Sequence, residues 1–240
     1  MNKNLIKDIK YIKKKTTIII LCGGKGERLR PLTFHTPKPL IRIDNKTILE
    51  HIISQFLKFN INDFILATGY KSNIFSNFIK KKKQYKYLSI KIVNNGVNKD
   101  IIFRLIKSLK FAKENVIICY GDTLVDININ RLILNYIHNK KKLIMTNYQL
   151  KSQFGIVTIN SNLDITEFNE KPNLNIWYNV GYFIFNKNLK LKLEKFKTFK
   201  NFLKIMAKNN LIKSFKHYGQ HITVNTISEL EDAKVKIKKF

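Results

Sequence analysis

The first half of the chain alternates between apolar runs rich in Ile and Val and segments whose apolar residues recur at helical spacing. The apolar runs fall at 18–21, 63–68, 88–93 and 116–120. Short continuous runs of this kind predict buried parallel strands. The amphipathic segments between them fall at 48–57, 72–79 and 101–111. The alternation predicts an α/β fold, with a Rossmann-like, mixed but mostly parallel sheet flanked by helices.

The pattern changes after residue 140, where strand signals follow one another closely. These signals fall at 143–148, 155–159, 165–169 and 177–185. Later segments predict two helices that end near 196 and 209, short strands at 213–216 and 222–224, and a closing helix at 227–239. We therefore expect a strand-rich half on the substrate side of the sheet.

The first 15 residues stand apart from both patterns. They carry six lysines, and Leu5, Ile6, Ile9 and Ile12 recur at near-helical spacing. Either a short amphipathic helix or a loose basic arm is compatible with them. We therefore divide the chain into a basic N-terminal extension, 1–15, and one domain, 16–240, which has the size of a single folded unit.

Composition narrows the class of protein. The chain has 45 Lys and Arg against 16 Asp and Glu, a net charge of +29, which raises a nucleic-acid hypothesis. The lysines are scattered, however, and the aromatic residues fall mostly in core-like runs instead of lying between cations on one face. A solvated lysine-rich surface is therefore favoured over nucleic-acid binding, and such a surface attracts phosphorylated small molecules.

Sequence signals also bear on location. No apolar run approaches the roughly 18 residues of a membrane span, and the N-terminus lacks the apolar stretch of a signal peptide. Cys22 and Cys119 each lie in a strand-like apolar run, as small buried residues of a reducing compartment do. We expect a cytoplasmic protein with no membrane partner.

The stretch after the first strand carries the strongest chemical signal. Gly23, Gly24 and Gly26 let the backbone turn tightly and come close to a ligand. Successive N–H groups in such a turn form a concavity for phosphate oxygens, and Arg28 and Lys38 add cationic donors. The string matches neither the Walker pattern nor the dinucleotide fingerprint. A glycine turn with surface cations and no ligand is the plainer alternative.

A two-part motif runs through this stretch, the string GGKGERLRPLT at 23–33 and Pro-Lys-Pro at 37–39. It resembles the signature of the sugar-1-phosphate nucleotidyltransferases (nucleoside-diphosphate-sugar pyrophosphorylases). The family usually has Thr or Ser where this chain has Glu27. The resemblance covers nearly the whole chain and implies the nucleotide-diphospho-sugar transferase fold.

The resemblance also implies which residues bind the nucleotide and carry the reaction. Arg28, Lys38 and Asp122 are the expected catalytic residues. Asp122 follows a buried strand, a position from which a carboxylate can hold Mg²⁺, the implied cofactor. Asn225 stands where relatives often have a second metal-binding Asp. The implied nucleotide-binding set is Leu21, Gly23, Gly24, Gly26, Glu27, Arg28, Lys38, Gly96 and Arg104.

A second group of motifs appears in the order that the family shows: Phe-Gly at 154–155, Glu-Lys-Pro at 170–172 and Asn-Val-Gly at 179–181. The resemblance implies that Gly155 lets the backbone approach the sugar. Glu170 and Asn179 would bond the sugar hydroxyls, and Lys171 would hold its phosphate. The implied partners are an NTP and a sugar 1-phosphate, and a homo-oligomer is left open.

The loop at 94–99 bears on the choice of base. It lacks the strings typical of thymidylyl-, uridylyl- and guanylyltransferases, and Gly96 with Arg104-Leu105 resembles the glucose-1-phosphate cytidylyltransferase branch. We therefore expect CTP and glucose 1-phosphate. The alternatives are a guanylyl- or thymidylyltransferase for another sugar 1-phosphate of mannose or heptose type, a phosphocholine-type cytidylyltransferase, and a binding homologue weakened by Glu27 and Asn225.

Overall fold

The computed structural model describes residues 3–140 and 142–240. In these residues the α-helices are α1 (Lys3–Lys14), α2 (Ile48–Leu57), α3 (Ser72–Lys81), α4 (Ile101–Leu109), α5 (Ile129–His138), α6 (Lys190–Leu193), α7 (Phe199–Lys208) and α8 (Ile227–Lys236). The strands are β1 (Thr16–Cys22), β2 (Arg42–Ile43), β3 (Lys46–Thr47), β4 (Asp63–Thr68), β5 (Ser89–Asn94), β6 (Asn115–Tyr120), β7 (Thr123–Val125), β8 (Leu143–Lys151), β9 (Ile156–Ile159), β10 (Ile165–Asn169), β11 (Asn173–Asn186), β12 (Ile212–His217) and β13 (His221–Thr223).

The main sheet has seven strands within the described residues, in the order β12–β8–β11–β6–β1–β4–β5. Strand β1 lies between β4 and β6, and all three run parallel. Strand β5 continues the parallel set beside β4, and β12 runs parallel to β8. Of these seven strands, β11 alone runs antiparallel to its neighbours. The predicted mixed, mostly parallel sheet flanked by helices is confirmed.

Helices cover both faces of the central strand. Ile18 and Ile20 of β1 belong to one hydrophobic cluster, which includes residues of α2 and α5. Ile19 between them belongs to a second cluster, which includes residues of α4 and α7. All three isoleucines are 0% exposed. Because both faces are buried, the strand is continuously apolar and does not alternate with polar residues.

The loops that follow β1, β4, β5 and β6 meet at one edge of the sheet, because parallel strands end at the same side. Backbone bonds join these loops directly. The amide of Tyr70 donates to Gly23 O over 3.3 Å, that of Gly121 to Leu21 O over 3.1 Å, and that of Asn95 to Thr68 O over 3.0 Å. Ligands of open α/β sheets bind at this edge.

Two features of the second half extend this edge. Strands β8 and β11 are long, and the ribbon formed by β9 and β10 connects them and pairs only with itself among the described strands. Strand β7 pairs with β13 from the C-terminal part of the chain. The amide of Val224 donates to Asp122 O over 3.2 Å, which brings Asn225 beside Asp122.

The N-terminal segment forms a helix, so the amphipathic alternative is the one that the structure adopts. Ile9 and Ile12 of α1 are 4% and 3% exposed and join the larger hydrophobic cluster. A capping box is present at the start of α2, with Thr47 and Glu50 satisfying each other's backbone amides. Within 3–140 and 142–240, no helix has the length and apolar character needed to cross a membrane.

Candidate active site

The glycine loop begins where β1 ends and folds back on the Pro-Lys-Pro segment. Gly26 has φ +66°, and a Cβ there would lie 2.9 Å from Cγ2 of Thr33 and 3.2 Å from Cβ of Lys38. The Thr33 hydroxyl donates to Gly26 O over 3.0 Å. A side chain at residue 26 is therefore excluded by both conformation and space, which explains the third glycine of the motif.

Two oxygen-bearing side chains meet at one ammonium group, and a guanidinium contacts one of them. Lys38 Nζ donates to Oδ2 of Asp122 over 2.6 Å and to Oδ1 of Asn225 over 2.9 Å. Arg28 Nη2 donates to the same Asn225 oxygen over 3.1 Å. The Lys38 side chain is 11% exposed and that of Asp122 is 32% exposed. These contacts bring the three predicted catalytic residues and Asn225 into one cluster.

This cluster forms the floor of a cleft of about 540 Å³. The cleft is lined by Leu21, Cys22, Gly24, Lys25, Gly26, Glu27, Arg28, Lys38, Pro39, Asn98, Gly121, Asp122 and Asn225. The lining thus combines residues of the glycine loop after β1, of the turn after β6 and of the segment after β13. Its cations and free loop amides suit a polyphosphate.

Arg104 bonds to the backbone of three loops at this edge of the sheet. Its guanidinium is buried and donates to the carbonyl oxygens of Thr68 (2.9 Å), Gly23 (3.2 Å) and Lys99 (3.2 Å). Arg104 therefore links these three loops to one another, and its side chain is not part of the cleft lining. Burial lowers the pKa of Arg104. A direct contact with the nucleotide stays a prediction.

Two glycines make room for this guanidinium. A Cβ at Gly23 would lie 1.9 Å from Arg104 Nη1, and one at Gly69 would lie 2.4 Å from the same atom. Gly69 also meets Gly96, whose carbonyl oxygen would be 2.5 Å from that Cβ. Gly23 and Gly96 therefore shape the loops but are absent from the cleft lining among the described residues.

Glu27, which departs from the family motif, lies at the mouth of the cleft. Its side chain is 58% exposed, with Oε1 3.4 Å from Arg30 Nη2 and 3.9 Å from Lys25 Nζ. Exposed pairs of this kind contribute little to stability. The carboxylate thus lies beside Arg30 and Lys25, while Arg28 contacts Asn225.

Asn179 lies beside the end of β6, next to the cleft. Its Oδ1 accepts from Gly181 N over 2.7 Å. Gly181 has φ +80°, and a Cβ there would lie 2.4 Å from the Tyr120 ring. Burial raises the pKa of Tyr120, and a hydrogen bond with Asn179 opposes that shift. The predicted sugar-binding amide therefore lies beside Tyr120, the residue before Gly121.

The other predicted sugar-phosphate residues lie on or beside the β9–β10 ribbon. Lys171 Nζ is 3.8 Å from Glu170 Oε1, and the two side chains are 58% and 62% exposed. A Cβ at Gly155 would lie 3.1 Å from Glu170 Oε2. These three residues form a group, and no contact described in the structure joins the group to Lys38 or Asp122. Their roles stay predictions.

The side-chain oxygen atoms of Asp122 and Asn225 suit a divalent cation. Asp122 and Asn225 direct one oxygen each to a single cationic atom, Lys38 Nζ, so the two oxygens already converge on one positive charge. Mg²⁺ takes one or two protein oxygens and completes its shell with water and phosphate. Among the described residues no group of three His, Cys, Asp or Glu side chains could hold a metal ion. Burial raises the pKa of the neighbouring Cys22 thiol.

Asn98, Gly121 and Pro39 line the cleft but are absent from the predicted set of site residues. Asn98 has φ +59° and lies in the loop after β5, where the sequence indicates only a turn. Gly121 is required because a Cβ there would be 2.8 Å from Leu21 O. Pro39 is part of the Pro-Lys-Pro string and lines the cleft beside Lys38.

A family model described as "Nucleotidyl transferase" matches residues 17–224. The chain belongs to this family, and the predicted enzyme class is confirmed. Nucleotidyltransferases of this family generally use a divalent metal.

Among curated proteins, the chain is similar to a probable glucose-1-phosphate cytidylyltransferase of Bacillus subtilis (strain 168). The two are 28% identical over 235 residues, which cover 88% of this chain and 92% of the relative. This chain is also 31% identical over 158 residues to the D-glycero-α-D-manno-heptose 1-phosphate guanylyltransferase of Campylobacter jejuni. That match covers 64% of this chain and 67% of the relative.

A solved structure from Bacillus anthracis, assigned as a glucose-1-phosphate thymidylyltransferase with a sucrose bound, superimposes with a TM-score of 0.74. The match covers 94% of this chain and 96% of that chain at 18% sequence identity. At that identity the likeness shows the fold alone.

Proposed function

We propose that the protein transfers a cytidylyl group from CTP to glucose 1-phosphate, giving CDP-glucose and pyrophosphate. One observation carries the proposal: Lys38 Nζ bridges Asp122 and Asn225 on the floor of a cleft lined by the glycine loop. A fixed cation beside a carboxylate and exposed loop amides is the arrangement that phosphoryl chemistry requires.

The reaction exchanges one phosphorus–oxygen bond for another. A phosphate oxygen of the sugar 1-phosphate attacks the α-phosphorus of the NTP, and the bond from that phosphorus to the β-phosphate oxygen breaks. The leaving pyrophosphate takes the bonding electron pair. Because the attacking phosphate is already an anion near neutral pH, no general base is needed. The chain must therefore position two polyanions and stabilise the charge between them.

The cleft residues divide this work. The backbone amides around Gly24 and Gly26 and the guanidinium of Arg28 bind the triphosphate. Lys38 stabilises the α-phosphate as its coordination changes. The contact of Arg28 and Lys38 with one oxygen of Asn225 keeps both cations oriented before substrate arrives.

Asp122 and Asn225 would hold Mg²⁺, which would neutralise phosphate charge when bound. The Asp122 carboxylate is also oriented by the Thr123 hydroxyl, which donates to its other oxygen over 3.1 Å.

On the sugar side, Gly155 lets the backbone approach the sugar, Glu170 and Asn179 bind its hydroxyl groups, and Lys171 binds the sugar phosphate. Asn179 is supported by its position beside Tyr120, at the end of the strand that leads to Asp122. The exposed Lys171 and Glu170 are supported by the motif alone, so substrate contact is the test of their roles.

The choice of CTP and glucose 1-phosphate rests on Gly96 and Arg104 and on the cytidylyltransferase relative, which matches over most of both chains. A guanylyltransferase for a heptose or mannose 1-phosphate is the second candidate, since relatives named for those activities match 64% and 75% of this chain.

The proposal is tested by pyrophosphate release with CTP, GTP, UTP and dTTP, each against glucose, mannose and heptose 1-phosphates, with Mg²⁺. CTP with glucose 1-phosphate should give the highest kcat/KM. Asp122→Asn should abolish most of the activity, whereas Asp8→Asn, which changes an exposed carboxylate on α1, should not. No release with any pair would refute the transferase function, and a preference for GTP would establish the second candidate.

A further inference from the structure

Asp122 and Asn225 are carried by a short pair of strands outside the main sheet. Strand β7 begins directly after Asp122, and β13 ends two residues before Asn225. Among the described strands, β7 and β13 pair only with each other. The positions of the two oxygen-bearing side chains therefore depend on the contacts that hold this pair against the body of the molecule.

Strand β7 has β13 along one edge and no strand along the other. The carbonyl of Asp122 and the amide of Asp126 bond to the C-terminal stretch that contains β13. Because alternate residues of an antiparallel pair bond on the same side, the carbonyls of Thr123 and Val125 point to the opposite side, which we call the open edge. All three residues of β7 are buried, so the carbonyls of the open edge need partners within the protein.

Two buried polar side chains bond to the open edge. Gln55 of α2 donates from Nε2 to Val125 O. The hydroxyl of Tyr182 in β11 lies 3.4 Å from Thr123 O and 3.4 Å from Gln55 Oε1, and it donates to these two oxygens. Gln55 is 4% exposed and Tyr182 is 0% exposed. Burial raises the pKa of Tyr182, so its hydroxyl keeps the proton that it donates.

The same contacts continue to the carboxylate in the cleft. Thr123, whose carbonyl lies beside Tyr182, donates its hydroxyl to Asp122 Oδ1 over 3.1 Å. A displacement of β7 would therefore displace this carboxylate. On the other strand, Asn225 N donates to Glu229 Oε2 over 2.7 Å, so residue 225 is held by a near neighbour in the chain. The orientation of Asp122 instead depends on α2 and β11, which are distant in sequence.

We propose that Gln55 and Tyr182 are positioning residues, which fix the open edge of β7 and thereby place the side-chain oxygens of Asp122 and Asn225 for a divalent cation. The inference rests on the proposed function. Mg²⁺ demands near-ideal octahedral geometry, so a small displacement of a ligating oxygen weakens its binding. Residues that support metal ligands typically change metal affinity by about 10- to 100-fold when they are mutated.

The first test measures the Mn²⁺ affinity of the full chain by electron paramagnetic resonance, without nucleotide. Gln55→Leu should weaken Mn²⁺ binding by about tenfold, because the open edge loses its donor to Val125 O. Tyr182→Phe should weaken the binding by a smaller factor, since its two contacts are long. Circular dichroism verifies folding, and Tyr182→Phe, which loses a single oxygen, keeps the test valid if Gln55→Leu does not fold.

Two controls remove comparable hydrogen bonds elsewhere. Tyr136→Phe removes an equally buried hydroxyl that donates to Asn115 Oδ1 over 3.2 Å. Gln149→Leu removes an amide that donates to Leu174 O over 3.0 Å. Both controls should keep the wild-type Mn²⁺ affinity.

Equal Mn²⁺ affinity in the wild type, Gln55→Leu and Tyr182→Phe, or an equal loss in the controls, would overturn the positioning role. A wild type that binds no Mn²⁺ would overturn the metal site as well. Binding does not require turnover, so a wild type that binds Mn²⁺ but releases no pyrophosphate would refute the proposed function alone.

The second test measures pyrophosphate release at increasing free Mg²⁺. In Gln55→Leu the Mg²⁺ concentration for half-maximal release should rise by about the factor by which the Mn²⁺ affinity falls. At saturating Mg²⁺ the kcat should return toward the wild-type value, because the ion then occupies the site despite the weaker affinity. A general loss of structure would lower kcat at every Mg²⁺ concentration, and that result would refute the positioning role.

Discussion

The ammonium of Lys38 donates to Oδ2 of Asp122 over 2.6 Å, although the two residues are 84 positions apart in the chain. The same nitrogen donates to Oδ1 of Asn225, 187 positions away. The lysine is thus held by two oxygen acceptors before any substrate enters. A cation fixed in this way needs little reorganisation when phosphate charge develops beside it.

Lys38→Ala should lower kcat by about 10²- to 10³-fold, the usual effect of removing one preorganised donor. The KM values should change less, because the stabilisation is greatest in the transition state. Steady-state pyrophosphate release measures both constants. Lys46→Ala, at an exposed lysine of β3, is the matched control. Near-normal turnover of Lys38→Ala would contradict the role assigned to Lys38.

Arg104→Lys should raise the KM for the NTP more than it lowers kcat, because three loop carbonyls lose their common donor and the glycine loop loses its shape. A single ammonium cannot reproduce the fork of a guanidinium. Unsatisfied buried carbonyls should also destabilise the fold by about 1–3 kcal/mol. Denaturant titration and substrate kinetics measure the two effects. Arg131→Lys, at an exposed arginine of α5, should change neither the KM nor the stability. An unchanged KM in Arg104→Lys would argue against a role for Arg104 in holding the glycine loop.

Asn225→Asp should strengthen divalent-ion binding in the absence of nucleotide. An added carboxylate attracts a divalent ion about twice as strongly as it attracts the competing ammonium of Lys38. We expect a gain of about tenfold, or about 1.4 kcal/mol, measured with Mn²⁺ by electron paramagnetic resonance. Asp122→Asn should weaken the same binding. Equal Mn²⁺ affinity in wild type and Asn225→Asp would show that this oxygen does not contact the ion.

Acid should destabilise the fold through His221. Burial, with nearby His217 and Lys236, lowers its pKa from 6.5 to about 4. Between these values the unfolded chain binds a proton that the folded chain does not, so stability is complete above pH 6.5 and falls as the pH drops toward 4. The loss approaches about 3 kcal/mol.

Urea unfolding of the wild type and His221→Gln at pH 7 and pH 4.5 isolates this contribution from that of other acidic groups. The stability of the wild type should decline more than that of the variant. His138→Gln, at an exposed histidine, should follow the wild type. A parallel decline of wild type and His221→Gln would refute the assignment.

Local features of the fold could be predicted because they depend on neighbouring residues. The apolar run of β1 and the capping box of Thr47 and Glu50 are determined within a few positions. The N-terminal segment left two alternatives, since burial of Ile9 and Ile12 depends on α5, more than 100 residues away.

The site is harder to predict where long-range contacts decide it. The resemblance names Arg28, Lys38, Asp122 and Asn225, but not the bonds that Arg28 and Lys38 make to the Asn225 oxygen. For Arg104 it implies the nucleotide, whereas the structure shows bonds to carbonyls at residues 23, 68 and 99. A guanidinium can serve either purpose, and only the packing of three loops distinguishes them.

Helix α1 has a practical consequence for anyone who shortens this protein. The family match begins at residue 17, so a boundary chosen from the alignment alone would delete Ile9 and Ile12 from the interior. Burial of two isoleucines is worth about 3–6 kcal/mol, a large part of the 5–15 kcal/mol that ordinarily separates folded from unfolded proteins. A truncated version would then be prone to aggregation during expression, and its failure would say nothing about catalysis.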